Sequence, residues 1–282
     1  MTIIRLGAGA QADTARLIVA YGAGGTSKSR SAAACCRARP DVYGERAALV
    51  CADPGSEGLG PILEADRGRM EKVGFDAKSD VYTQIMDILQ FDWKAEGIKT
   101  CIWDTMTTVG QIMLAQLANS GKFSERNIEL STVKGGEAKQ PMQGDFLAAE
   151  TLLFRFLYKL RDSGMNHILL FHELDVRPEQ GTPGDPYGGP AFVGKAMTRK
   201  IGGWATQTLR FSTRPKKRAT LTAPIEQEYV VHTEDRGIWK AKFRLPQPTN
   251  PCPEIVLNPD PINLWQTLEG YLNPVEAKRE GT

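Results

Sequence analysis

Apolar residues fall along this chain in short unbroken runs, separated by longer stretches of helical period. Residues 17–21 (LIVAY) form the first run. They do not alternate with polar residues, so they read as a strand buried on both faces. A glycine-rich turn follows, then an alanine-rich stretch that reads as a helix until Pro40, whose missing N–H stops it. Residues 47–51 and 100–103 read as two further buried strands, the second ending at Asp104. Ser79 or Asp80 is placed to cap a helix through about Leu89, and 109–117 turns helical. Residues 119–144 are polar without a clear period and read as a long surface segment. Asp145 then caps a helix through about Leu160, with Gly164 in its C′ position. Residues 167–171 (HILLF) give another buried strand, ending at His172 and Glu173, and the Gly- and Pro-rich stretch 177–190 reads as a loop. After a short helix, 205–212, 227–233 and 238–245 suit antiparallel strands, the last two joined as a hairpin through 234–237. Asp260 and Pro261 open a final short helix. Strands alternating with helices predict an α/β fold. Its sheet is mostly parallel, twisted and flanked by helices, with an antiparallel C-terminal strand extension.

Length and composition narrow the function classes. A chain of 282 residues accommodates one large α/β domain with an appendage, and the pattern divides it into a core at 1–250 and a tail with a short helix at 251–282. Hydrophobic residues make up 41% and charged residues 24%, as in globular proteins with a real core. A net charge of +2 excludes a global polycation that coats nucleic acid. Five cysteines with no CxxC pair speak against a disulfide framework and against a zinc cluster. No basic segment leads into a long apolar one near the start, and no run approaches 18 apolar residues. A secretory leader and a membrane span are therefore not expected, and the cell interior is the natural address.

The turn after the first strand carries the strongest chemical signal. Gly22, Ala23, Gly24, Gly25, Thr26, Ser27, Lys28 and Ser29 resemble the phosphate-binding pattern GxxxxGK[ST], with Ser27 where the second glycine is expected. Glycines let successive backbone N–H groups face a phosphate, the lysine reaches the terminal phosphate oxygens, and the hydroxyl holds Mg²⁺. Arg30 follows directly and joins this nucleotide-binding group. The run ending at Asp104 looks like the strand that delivers a second ligand to the magnesium shell, opposite Ser29. His172, at the end of another buried strand, is placed to sense the γ-phosphate. Between Lys195 and Arg218 there are eight basic residues and no acidic one, with Trp204 and Phe211 among them. Cations for phosphates with aromatics for bases is the footprint of a single-strand binder, with Lys195, Arg199, Lys200, Arg214, Lys216 and Lys217 as the contacts.

The order of these motifs, from the phosphate turn through the Asp104 strand, HILLFHE and the Gly/Pro loop to WKAKFRL, resembles the phage RecA-like single-strand annealing proteins. These are compact, core-only relatives of the RecA and Rad51 recombinases, and the resemblance covers about 15–250. It implies a RecA-like P-loop ATPase that uses ATP and Mg²⁺, binds single-stranded DNA and promotes annealing or strand exchange, often beside a single-strand binding protein. It further implies an acidic residue after the second strand that orients the attacking water; Glu57 is the first choice and Asp53 the second. Lys242 and Arg244 match a strand that related filaments and rings set against a neighbour's γ-phosphate, which implies a homo-oligomer. A hexameric helicase-type motor, and a nucleotide-gated binding or structural protein with little hydrolysis, are the rival readings.

Overall fold

The computed structural model describes residues 15–52, 60–76, 78–122, 140–177, 185–216, 226–244 and 250–272. In chain order the elements are β1 (Leu17–Gly22), α1 (Lys28–Ala33), α2 (Cys35–Ala38), α3 (Pro40–Tyr43), β2 (Arg46–Cys51), α4 (Glu64–Arg67), β3 (Met70–Gly74), α5 (Val81–Gln90), β4 (Ile98–Asp104) and α6 (Met106–Ser120). They continue with α7 (Gln143–Asp162), β5 (Asn166–Phe171), β6 (Glu173–Val176), β7 (Tyr187–Pro190), α8 (Gly194–Trp204), β8 (Gln207–Pro215), β9 (Gln227–His232), β10 (Lys242–Phe243), β11 (Glu254–Val256) and α9 (Ile262–Leu272).

The main sheet runs β11-β9-β8-β1-β5-β4-β2-β3, with β10 also paired to β8. From β8 to β3 every pairing is parallel, and β9, β10 and β11 add antiparallel strands at the other edge. The fold is therefore an α/β arrangement with a mostly parallel sheet flanked by helices, and β5, which ends at Phe171, lies between β1, which feeds the glycine-rich turn, and β4, which ends at Asp104. All six residues of β1 are buried, and its side chains alternate between two cores. Leu17, Val19 and Tyr21 join α5 to α8 on one face, while Ile18 and Ala20 join α1, α2 and α9 on the other. Burial on both faces is why an unbroken apolar run forms this strand.

Several local expectations hold. Asp80 caps α5 by accepting the Thr83 N–H at 2.7 Å. Gly164 stands just past α7 with φ 68°, the left-handed conformation a C′ glycine adopts at no steric cost. Others are corrected. Asp145 lies inside the first turn of α7, where its carboxylate accepts the Met142 N–H at 2.9 Å, rather than at the cap itself. The alanine-rich helix breaks at Ala34, and Pro40 opens α3 instead of ending a helix, because a first-turn residue needs no N–H. Residues 227–233 and 238–245 do not pair as a hairpin. β9 and β10 lie one after the other along the same edge of β8, whose nine residues offer more pairing groups than β9 uses, while β8 itself runs parallel to β1. Within the 177–190 stretch read as loop, β7 forms an antiparallel pair with β6.

The 251–282 stretch, read as a tail, contributes β11 to the sheet and α9 to a core. Trp265 on α9 is 1% exposed and donates its indole N–H to the Ser31 carbonyl at 2.6 Å. Arg37 on α2 forks between Asp66 and Asp260, tying α4 and the start of α9 to the helices after the glycine-rich turn. None of the described helices is long and apolar enough to cross a membrane.

Candidate functional site: a glycine-rich turn with a buried lysine

The turn at 22–29 starts where β1 leaves the sheet, and its shape follows from close packing. A Cβ at Gly22 would lie 2.2 Å from the Phe211 carbonyl oxygen of β8, so only glycine fits. Gly25 at φ 73° and Ser27 at φ 71° then swing the backbone into α1 through two left-handed residues. Gly25 adopts this freely. Ser27 does so against the clash of its Cβ with the backbone, at a cost on the order of 1 kcal/mol. The position where the motif has glycine thus does need positive φ. The Thr26 hydroxyl donates to the Ala23 carbonyl at 2.8 Å and closes the loop.

Lys28 folds into the middle of this turn. Its Nζ donates to the carbonyls of Gly22 at 2.9 Å and Ala23 at 2.7 Å, and to the Thr26 hydroxyl at 3.3 Å. The residue is 7% exposed, and no described carboxylate forms an ion pair with it. Desolvation lowers its pKa below the ordinary lysine value, opposed by the more distant charges of Asp104 and Glu173. Ser29 is half-buried in the first turn of α1, a helix of only six residues that adds little macrodipole. Arg30 turns the other way and donates to the Pro259 carbonyl.

Asp104 ends β4 level with Cys51 of β2, and its carbonyl accepts the Ala52 N–H at 2.9 Å. Asp104 is 8% exposed, and its charge acts on Lys28. The described residues contain no cluster of three or more His, Cys, Asp or Glu side chains able to hold a metal. One hydroxyl and one carboxylate suit Mg²⁺, which keeps several waters and takes further oxygens from phosphates rather than from an all-protein cage.

β5 lies between β1 and β4, so its carboxyl end falls between the turn and Asp104. There His172 is exposed, with its N–H donating to the Thr107 hydroxyl at 3.0 Å. That hydroxyl donates in turn to the Ala191 carbonyl at 2.6 Å, pinning α6 to the β6–β7 hairpin. Glu173 pairs with Arg210 of β8 at 3.5 Å, and the Arg210 guanidinium stacks on the Trp239 ring at 4.2 Å. Sequence reasoning gave no role to Thr107 or Trp239 and counted Arg210 only as one of a basic run. The available signal was the second polar residue, Glu173, after a buried strand.

The remaining expected residues are scattered. Glu57, Asp53 and Lys217 lie outside the described residues. Lys242 sits level with Thr208 in mid-sheet, and its Nζ donates at 2.5 Å to the Gly202 carbonyl at the end of α8. Burial, and the charge of Arg244 beside it, lower the Lys242 pKa to about 8. Arg244 is exposed and lines a cleft with Arg16 and Leu17 at the amino end of β1, opposite the glycine-rich turn.

The basic run is also less cationic than its sequence. Arg214 pairs with Glu228 at 2.7 Å and Glu254 at 2.8 Å, Lys216 with Glu226 at 2.9 Å, and Lys200 with Glu150. The compensating acids come from β9, β11 and α7 and the residue before β9, which local counting along the basic segment does not see. Lys195 and Arg199 stand exposed on α8.

No protein-family model and no curated protein matches the chain. Among solved structures, the chain is similar to the flagellar accessory protein FlaH from Methanocaldococcus jannaschii, with 11% identity over 86% of this chain and 84% of that one, at a TM-score of 0.45. It is also similar to a KaiC-like protein from the archaeon Pyrococcus horikoshii OT3, with 12% identity over 86% of this chain and 89% of that one, at a TM-score of 0.42.

Proposed function

We propose that the 22–29 turn binds the phosphates of Mg-ATP and that the protein hydrolyses ATP to ADP and phosphate. The observation that carries this reading is the buried ammonium of Lys28, held by neutral oxygens alone among the described residues. A desolvated cation without a counter-ion is costly, and an arriving phosphate anion removes that cost. Phosphate oxygens would replace the Gly22 and Ala23 carbonyls as acceptors of the lysine's hydrogen bonds. The freed glycine-rich backbone would offer its N–H groups from 24–29. Ser29 and Asp104 are the residues that would hold Mg²⁺, whose chemistry is to neutralise charge that develops on the phosphate oxygens. His172, exposed just after β5, would contact the γ-phosphate, and Glu57 or Asp53 would orient water. Lys242 and Arg244 lie away from their own turn, as fingers for a neighbour's site in a ring or filament would.

The test is Lys28→Ala, with ATP affinity measured by calorimetry and turnover by phosphate release. Loss of one charge-assisted contact predicts a fall in affinity on the order of 100-fold, about 3 kcal/mol. Unchanged affinity and turnover would reject the assignment.

The narrower reading is ATP-dependent annealing of single-stranded DNA, of the phage type, in the cytoplasm and alongside a single-strand binding protein. The order of the motifs supports it, as do Lys195 and Arg199 on the exposed face of α8. The pairing of Arg214, Lys216 and Lys200 weighs against those three as contacts. Single-stranded DNA should then stimulate turnover, and alanine at Arg199 should reduce binding more than alanine at Arg214 or Lys216. Duplex unwinding would favour the helicase-type motor instead. ATP binding without turnover would favour a nucleotide-gated assembly protein.

A further inference from the structure

The carboxyl ends of β5 and β1 lie side by side and the middle of β8 flanks them, with Tyr21 of β1 level with Phe171 on one side and Arg210 on the other. Glu173 follows Phe171 by two residues, and its carboxylate reaches the Arg210 guanidinium at 3.5 Å. The pair therefore spans the end of β1 at the point where the chain enters the 22–29 turn. Among the described residues only Oε2 of Glu173 is engaged, and the side chain is 25% exposed, which leaves Oε1 able to accept a hydrogen bond from water.

Arg210 is held more firmly than an ordinary surface cation. Its guanidinium lies on the Trp239 ring, and the ring is itself clamped. Gly188 packs so closely that a Cβ there would fall 2.3 Å from the indole. The Gly188 N–H donates to the Ile238 carbonyl at 2.7 Å, and the Lys240 N–H donates to the Gly188 carbonyl at 3.0 Å. Tyr21 fixes the same segment by donating to the Lys240 carbonyl at 2.5 Å. Such a clamp is more than a surface ion pair needs. It suits a carboxylate that has to stay beside a polyanion, because the negative charge of a triphosphate would otherwise drive Glu173 away.

We propose that Glu173 orients and deprotonates the water that attacks the γ-phosphate, and that Arg210, stacked on Trp239, is the positioning residue that holds it there. This rests on the ATP reading above and names a carboxylate for it other than Glu57 or Asp53. In the step, the water oxygen bonds to the γ-phosphorus. The bond from that phosphorus to the β–γ bridging oxygen breaks, and its electron pair leaves with ADP. The water proton passes to Glu173 and from there to solvent.

The test uses the full chain with Mg-ATP. Glu173→Gln keeps the size of the side chain and should lower turnover by about 100-fold or more while ATP affinity stays within about threefold. Arg210→Ala should lower turnover about tenfold, and Arg210→Lys should recover part of that loss. Adding Arg210→Ala to Glu173→Gln should cost nothing more, because Arg210 acts through Glu173; a purely structural pair would show the further loss. If Glu173→Gln does not fold, Glu173→Asp should leave binding intact and cut turnover about tenfold. A Glu173→Gln protein that binds ATP and turns it over at the wild-type rate overturns the proposal, as does a wild type that binds ATP without hydrolysing it. A wild type that binds no ATP sinks the ATP reading itself.

Discussion

Tyr43 donates a 2.7 Å hydrogen bond to Glu269, and neither residue has any exposed surface. Arg16 reaches the second carboxylate oxygen at 3.3 Å. The bond joins α3, packed beside the helices after the glycine-rich turn, to α9 from the end of the chain. The Tyr43 ring also meets Trp265 edge-on at 5.0 Å, a contact that phenylalanine would keep. Tyr43→Phe therefore isolates one buried bond to a charged group, and should destabilise the protein by about 2 kcal/mol in urea unfolding with turnover unaffected. A loss under about 0.5 kcal/mol would mean that Glu269 is held without the Tyr43 bond.

Ser27 holds φ 71° at a position where glycine is strain-free. Ser27→Gly should stabilise the protein by up to about 1 kcal/mol, because relief of the left-handed strain outweighs the greater entropy glycine loses on folding. ATP affinity should hold or improve, since the turn keeps its shape. A thermal unfolding midpoint that falls would show that the serine side chain makes a compensating contact.

His167 is buried, and burial pushes its pKa down to about 3 from an ordinary 6.5. Trp103 donates its indole N–H to His167 Nδ1 at 3.4 Å, so the proton sits on Nε2, which faces the Ser163 hydroxyl at 2.8 Å. The folded ring stays neutral while the unfolded ring takes up a proton below pH 6.5. The stabilisation is thus present above pH 6.5 and is lost as pH falls toward 3, by at most about 1.4 kcal/mol per pH unit. Denaturant midpoints measured from pH 7 to pH 4 should fall more steeply for the wild type than for His167→Phe. Equal slopes would assign the acid sensitivity to other groups.

Much of the scaffold was legible because its causes are local. An unbroken apolar run such as LIVAY or HILLF has no polar face to show water, so it becomes a strand covered on both sides. Asp80 announces a helix because a carboxylate there satisfies an N–H that the first turn leaves open. The spacing from Gly22 to Ser29 marks the turn because few other residues tolerate its backbone angles and close approach. The sequence shows only that Ser27 stands where the motif has glycine; that the position needs positive φ is seen in the structure.

The tertiary structure decided what depends on neighbours distant in sequence. β7 contains two glycines and a proline and has little strand propensity of its own; it forms because β6 offers it a ladder. Pairing with β8 rather than with each other sets β9 and β10, since an open edge accepts whichever segments reach it. Arg214 looks cationic along the chain and is neutralised by Glu228 and Glu254, and Arg210 is drawn out of the same basic run to Glu173. Charge acts through space, so which carboxylate faces which guanidinium is set by strand order, and strand order is written in the packing of the whole sheet rather than in any one segment.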